Sequence, residues 1–130
     1  MRHRIITSFI TASALALSLH AAAPATQAAT GPSTAATCTT IAGTPYRSGS
    51  TVYSTHTIRC TSVVSKIYVY GILHRSWYNN YTFLSKGCVN TTECSLTLSA
   101  PFTRDTWTSS TSGTVDGVEQ PTATSSAYLY

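Results

Sequence analysis

Two runs decide the fold: Thr51-Val-Tyr-Ser-Thr-His-Thr-Ile-Arg-Cys60 and Lys66-Ile-Tyr-Val-Tyr-Gly-Ile-Leu-His-Arg-Ser-Trp77. Both alternate with period two. The first puts Val52, Ser54, His56, Ile58 and Cys60 on one side, and Tyr53, Thr55, Thr57 and Arg59 on the other. The second puts Ile67, Val69, Gly71, Leu73 and Trp77 opposite Tyr68, Tyr70, Ile72 and His74. Successive side chains of a strand point to opposite faces, and β-branched and aromatic residues suit a pleated surface, so both runs read as half-buried strands.

Working outward, Asn79-Asn80 is a turn signal, because Asn tolerates positive φ, and Tyr81 to Lys86 reads as the returning strand. Cys94 to Ala100 alternates and stops at Pro101, which has no N–H for a ladder. Thr103–Ser109 and Gly113–Val118 read as a hairpin around Ser112-Gly113, and Ala123 to Tyr130 as a last strand. About seven strands with turns every 8–12 residues is the spacing of a sandwich, and Trp77, placed after Cys60, is a candidate for packing on a disulfide. The expected fold is all-β: an immunoglobulin-like β-sandwich. No helical periodicity is sustained beyond the N-terminal segment, and there is no internal repeat.

The chain has 130 residues with a formal charge of +4, and charged residues make up 9 % of it, far below the usual quarter or so. Arg2 and Arg4 open a positively charged start, an apolar stretch runs from Ile5 to Leu19, and small residues surround Ala28. That order is a secretory signal, taken as residues 1–28, with small residues that permit a cut after Ala28 or after Ala25. About 15 apolar residues fall short of the roughly 20 that span a bilayer. Without Arg2 and Arg4 the remaining chain carries +2 rather than +4. Neither nucleic acid nor a membrane is therefore an expected partner. The mature chain, rich in Thr and Ser, is expected to be secreted and extracellular. Residues 29–37 are Ala, Thr, Gly, Pro and Ser only. With nothing in them to bury, they read as a flexible N-terminal arm before a single domain, 38–130.

Cys38, Cys60, Cys88 and Cys94 all lie in the mature part. An even count in a short exported chain implies two disulfides, each stabilising by about 2–4 kcal/mol. Sequence neighbours favour Cys38–Cys60 with Cys88–Cys94, the latter across the base of a hairpin. A Cys60–Cys94 bridge between sheets is the alternative. The spacings lack the C-x-x-C of a zinc site.

Catalytic patterns are sparse. His56 and His74, with Arg59, Arg75 and Glu93, supply the residue types of a small ribonuclease, which needs an acid, a base and phosphate-binding cations. They lie mid-strand without a local motif. No G-x-S-x-G accompanies the many serines. Glu93, Asp105, Asp116 and Glu119 do not form an evident glycosidase pair. No cofactor or metal is implied, and the chain reads as a non-enzyme. Its eight tyrosines are the distinctive surplus, and tyrosine is enriched in binding surfaces. The candidate partner contacts are Tyr46, Tyr53, Tyr68 and Tyr70, with Thr30, Pro32, Thr34 and Thr37 of the arm. Asn80-Tyr-Thr82 and Asn90-Thr-Thr92 are formal glycosylation sequons.

The Ala/Thr-rich signal, low charge, early Cys38 and Cys60 and the Cys88-x5-Cys94 spacing resemble the small secreted β-sandwich proteins of filamentous actinomycetes. One kind, the chromoprotein carriers, is Gly-rich, unlike this chain. The subtilisin-inhibitor type frames a reactive-site loop with cysteines, which here would be Cys88–Cys94. A third kind is the adaptor subunit of umbrella toxin particles, joining a lectin subunit with a degenerate protease-like domain to a large toxin subunit. In that family an extended N-terminal arm docks into a partner's cleft. The resemblance covers size and architecture of the mature chain. It implies a secreted protein-binding adaptor whose partners are a lectin-like or protease-like subunit and a large toxin subunit. A secreted protease inhibitor is the alternative, and a small ribonuclease or toxin the second. On this reading, deleting residues 29–37 should leave the melting temperature nearly unchanged while abolishing partner capture, as a melt and a pull-down would show.

Overall fold

The two alternating runs do form strands, but they belong to one. In the computed structural model, which describes residues 35–76 and 81–130, seven strands form among those residues. They are β1 (Cys38–Ala42), β2 (Tyr46–Ser48), β3 (Thr51–Arg75), β4 (Tyr81–Pro101), β5 (Asp105–Val115), β6 (Val118–Glu119) and β7 (Ala123–Leu129). All pairings are antiparallel. The all-β class, the strand count and both disulfides, Cys38–Cys60 and Cys88–Cys94, are as the sequence leads one to expect, although β1 and β2 are additional and β3, β4 and β5 each join two of the expected runs.

β3 and β4 form a long ribbon, paired from Thr51 opposite Pro101 to His74 opposite Tyr81. The ribbon has a corner. Arg59 opposes Glu93 and Val64 opposes Thr91, so five steps along β3 answer two along β4. The surplus residues bulge, and a bulged strand bends. Asn90 takes a left-handed φ of 49° there, a conformation Asn tolerates. Cys38–Cys60 ties the corner of β3 to β1, and Cys88–Cys94 spans the bend within β4.

Beyond the corner the ribbon folds over itself. The first half of β3 pairs with β1 and β2 on its other edge, and the second half with β5, which carries β6 and β7. This gives two layers face to face, as in an immunoglobulin domain. Here, though, the same two long strands run through both layers. The first layer presents Val52, Ile58, Cys94, Leu96 and Leu98 inward; the second answers with Ile67, Val69, Leu73, Trp107 and Val115, all buried. Each such side chain removed from water contributes about 1.5–3 kcal/mol. Polar links close the edge: the Ser109 hydroxyl donates to the Gly43 carbonyl (2.6 Å), and the Thr44 and Ser125 hydroxyls lie 2.9 Å apart.

His56 is the polar centre of this core. Its ring is fully buried, with Nε2 at 2.8 Å from the Ser54 hydroxyl and Nδ1 at 2.8 Å from the Thr111 hydroxyl. Hydroxyls rotate to donate or accept, so either tautomer is satisfied. The ring lies on Gly71 of the facing layer, where a Cβ would come within 2.6 Å of Cγ. Gly113 has the same purpose: a Cβ there would meet Ile58 of the other layer and the Tyr68 carbonyl.

Three expectations are corrected. Cys88–Cys94 does not close a hairpin base, and the strand beginning at Tyr81 does not end at Lys86; one strand continues to Pro101 and bends between the cysteines. Ser112-Gly113 is not a turn, because β5 runs through it. The turn is Asp116-Gly117, with φ of 48° and 81°, joining Val115 to its partner Val118 as a two-residue Asp-Gly hairpin does. The end of the expected arm is not loose. Thr61 N–H donates to the Thr37 carbonyl (2.9 Å), Thr37 N–H donates to the Thr61 hydroxyl (3.0 Å), and Ala36 packs against the core. A deletion through Thr37 should therefore lower the melting temperature, while residues 29–34 fall outside the described part, as do Trp77 and the Asn79-Asn80 turn. The two disulfides belong to an oxidising compartment, and no described helix is long and apolar enough to cross a membrane.

Gly71→Ala should destabilise by about 1–3 kcal/mol, the usual overpacking cost, and a melt would show it. Burial lowers the His56 pKa from its ordinary 6.5, against a smaller raising effect of its hydrogen bond with the Ser110 backbone. Below about pH 6.5 the unfolded chain then binds more protons than the folded one. Stability should be full above that pH and fall as pH drops through the lowered folded value. A melting temperature lower at pH 5 than at pH 7.5, with a smaller difference in His56→Gln, is the expected outcome.

Candidate binding face

Because Ile67, Val69, Gly71 and Leu73 point inward, Tyr68, Tyr70, Ile72 and His74 must point out of the second layer. Register carries the same face onto β4 as Gly87, Ser85, Phe83 and Tyr81, and onto β5 as Thr114, Ser112, Ser110 and Thr108. The face thus divides into an aromatic strip over β3 and β4 and a hydroxyl field over β5 and β7, where the Thr108 and Ser126 hydroxyls lie 2.8 Å apart.

The strip is organised. The Tyr70 and Phe83 ring centroids are 6.0 Å apart and those of Tyr81 and Phe83 5.9 Å, both tilted, within the range of favourable aromatic pairs. Tyr68 lies across its partner Gly87, whose Cβ position is 3.7 Å from the ring. Tyr81 and Phe83 are more than half exposed, at 60 % and 56 %. No described tyrosine is in the core.

The sequence-derived contacts do not gather in one place. Tyr68 and Tyr70 lie on the outer face of the second layer. Tyr46 and Tyr53 oppose each other on the outer face of the first, their rings stacked at 5.7 Å. Thr37 is exposed at the start of β1, beside a groove of about 410 Å³ lined by Thr39, Ile41, Arg59, Cys60 and Thr61. Thr30, Pro32 and Thr34 are outside the described residues.

What sequence reasoning missed is the edge of β4. Among the described residues β4 pairs with β3 alone, so no strand covers its other edge; away from the corner, where Lys86 Nζ donates to the Ser95 carbonyl (3.0 Å), that edge is available to a further strand. Tyr81, Phe83 and Val89 project on one side of it. Leu84, opposite Gly71, projects on the inner side but is still 49 % exposed. The cluster of Tyr81, Phe83 and Leu84 was visible in the sequence; that no strand follows beyond it was not.

The residues needed for catalysis are dispersed. His56 is sealed inside the core, whereas His74 faces outward from the second layer. Glu93 is paired with Arg59 at 2.6 Å on the first layer's exterior. Asp116 accepts from Lys66 N–H (2.7 Å), and Asp105 from Thr106 N–H (2.7 Å). The Cys88–Cys94 segment is not a projecting loop: Val89 and Thr91 pair with β3. Among the described residues no three His, Cys, Asp or Glu side chains gather as metal ligands.

No family model matches the chain, and no curated protein is similar to it. Solved structures give distant likenesses. The chicken interferon gamma receptor alpha chain aligns with a TM-score of 0.46 and 15 % identity, over 69 % of this chain and 50 % of that one. A catalytically inactive OgpA from Akkermansia muciniphila, in complex with an O-glycopeptide substrate, gives 0.41 and 8 % over 72 % and 28 %. Wild-type OgpA from the same organism gives 0.40 and 8 % over 72 % and 27 %. This chain spans half or less of each, and likenesses this distant say nothing about activity.

If the aromatic strip is not part of the core, Phe83→Ser should cost less than about 1 kcal/mol, as surface changes do. Leu73→Ala should cost about 2–5 kcal/mol. Parallel denaturant titrations would separate the two.

Proposed function

We propose that the chain is a secreted, non-enzymatic protein-binding module whose partner adds to the free edge of β4. The observation that carries this reading is that edge, with exposed Tyr81, Phe83 and Val89 on one side and Leu84 on the other. An edge strand offers a row of N–H and C=O groups to another chain, and soluble proteins usually blunt it with charge, Pro or a cover. Along this stretch of β4 the side chains are instead apolar, aromatic and hydroxylic, with Lys86 the charged residue among them. Strand addition takes its affinity from main-chain hydrogen bonds and its specificity from alternate side chains. Ring and aliphatic surface on both sides of one edge would supply that specificity.

The larger role consistent with this surface is that of an adaptor subunit in an extracellular antibacterial toxin complex, linking a lectin-like or protease-like subunit to a large toxin subunit. The two stacked tyrosines, Tyr46 and Tyr53, stand on the opposite layer and give such an adaptor a second contact surface. Residues 29–34 would supply the arm.

The test is to purify the tagged protein from the culture fluid of its producer and identify what accompanies it in fixed proportion. A lectin-like and a large toxin-like chain are expected, retained by the native sequence and lost by Phe83→Lys/Leu84→Lys, with the variant's melting temperature within a few degrees of native. A protein that emerges alone, or a double variant that retains its partners, would contradict the reading.

A further inference from the structure

We propose that the shallow pocket on the outer face of the second layer, between β3, β5 and β6, binds a unit of a neutral saccharide chain. The pocket lies across β3 from the edge of β4 and does not depend on the function proposed above. It encloses about 330 Å³ and is lined chiefly by Tyr68, Tyr70, Ser112, Thr114, Glu119 and Gln120. That volume is at the lower end of small-ligand sites, about 300–1,000 Å³.

Three properties define the ligand. The first is an aromatic wall. Tyr68 and Tyr70 both line the pocket, and Tyr68 is 41 % exposed. An exposed aromatic face can stack, and the axial C–H face of a pyranose is complementary to it. The second is a set of polar groups beside those rings: the hydroxyls of Ser112, Thr114 and Thr122, a carboxylate and an amide. This mixture of one apolar surface and several placed donors and acceptors matches a polyhydroxylated ring, in which hydroxyls surround an apolar face. The third is charge. Glu119 is the charged residue of the lining, which contains no Lys, Arg or His. A phosphate, sulfate or uronate would meet a carboxylate with no cation to offset it, so an anionic ligand is selected against.

The pocket is also pre-organised. Glu119 opposes Thr114 across the tight Asp116-Gly117 turn. Gln120 N–H donates to the Gly113 carbonyl (2.9 Å), and its side-chain amide donates to the Val118 carbonyl (3.1 Å). That leaves the Gln120 side-chain oxygen to accept from a ligand. Asp116 fastens the same turn to β3 through the Lys66 N–H. The Gln120 amide and the backbone that carries Glu119 are therefore set beside the tyrosines before a ligand arrives, which reduces the ordering cost of binding.

The test is a two-dimensional amide NMR titration of the mature protein with cellohexaose, N-acetylchitohexaose and mannohexaose, and with a galacturonate hexamer as the anionic control. At least one neutral probe should give saturable shifts by millimolar concentration. They should be confined to residues 68–70, 112–114 and 119–122. Tyr68→Ala should weaken that binding at least tenfold. Glu119→Gln, which keeps the shape and removes the charge, should weaken it several-fold while the spectrum stays that of a folded protein. The proposal is overturned if no neutral probe moves these amides, if the galacturonate hexamer binds as well or better, if the shifts fall on β4 instead, or if both variants bind like the native protein.

Discussion

The fold depends on a mismatch in length between two paired strands. Between Arg59 and Val64 β3 has more residues than β4 has opposite them, and the only way to keep both flanking ladders is to bend. Without that bend β3 and β4 would be one straight two-stranded ribbon, with no facing layer to bury Val52, Ile58, Ile67, Val69 and Leu73. With it, His56 meets Gly71 and Thr111, Ile58 meets Gly113, and the core exists. Both disulfides are at the corner, one fastening β3 to β1 and the other crossing the bend of β4. In a domain this small the apolar core alone supplies little margin, so covalent ties placed where the β3–β4 ladder is interrupted stabilise the feature that ladder protects least.

The same constraint distributes the surfaces available for binding. β4 follows β3 through the corner into both layers, and among the described residues no other strand pairs with its opposite edge; near the corner Lys86 Nζ donates to the Ser95 carbonyl (3.0 Å), and the stretch from Tyr81 to Ser85 is left for a partner. The bend also turns the tyrosines of the two halves of β3 away from each other: Tyr53 to the exterior of one layer, Tyr68 and Tyr70 to the exterior of the other. A molecule built this way presents separate surfaces on its two layers. Among the described residues His56 is in the core, His74 faces out of the second layer and Glu93 out of the first.

How much of this could be read in the sequence follows from the range of each signal. Period-two alternation is local, and the inward sets Val52–Cys60 and Ile67–Leu73 were both legible. So were the disulfide pairings, from the proximity of the cysteines along the chain. Register is not local. The segment between Cys88 and Cys94 has the same polar composition whether it turns back or bends, and only the residues opposite it on β3 decide. The Asp116-Gly117 turn had a readable signature, but Ser112-Gly113 offered a competing one, and the close approach of Ile58 that requires glycine at 113 is visible only in three dimensions. The identity of an edge strand is likewise a property of the whole sheet. Tyr81, Phe83 and Leu84 were evident as residues and not as a surface.

The most direct test of the account is amide hydrogen exchange along β4 in the free protein, read residue by residue. An open edge predicts alternation: amides directed at β3 strongly protected, their neighbours from Tyr81 to Val89 exchanging close to the rate of an unstructured chain. Uniform protection along β4 would mean that the edge is already covered, by another part of the chain or a second copy, and would contradict the claim that it is the surface a partner occupies.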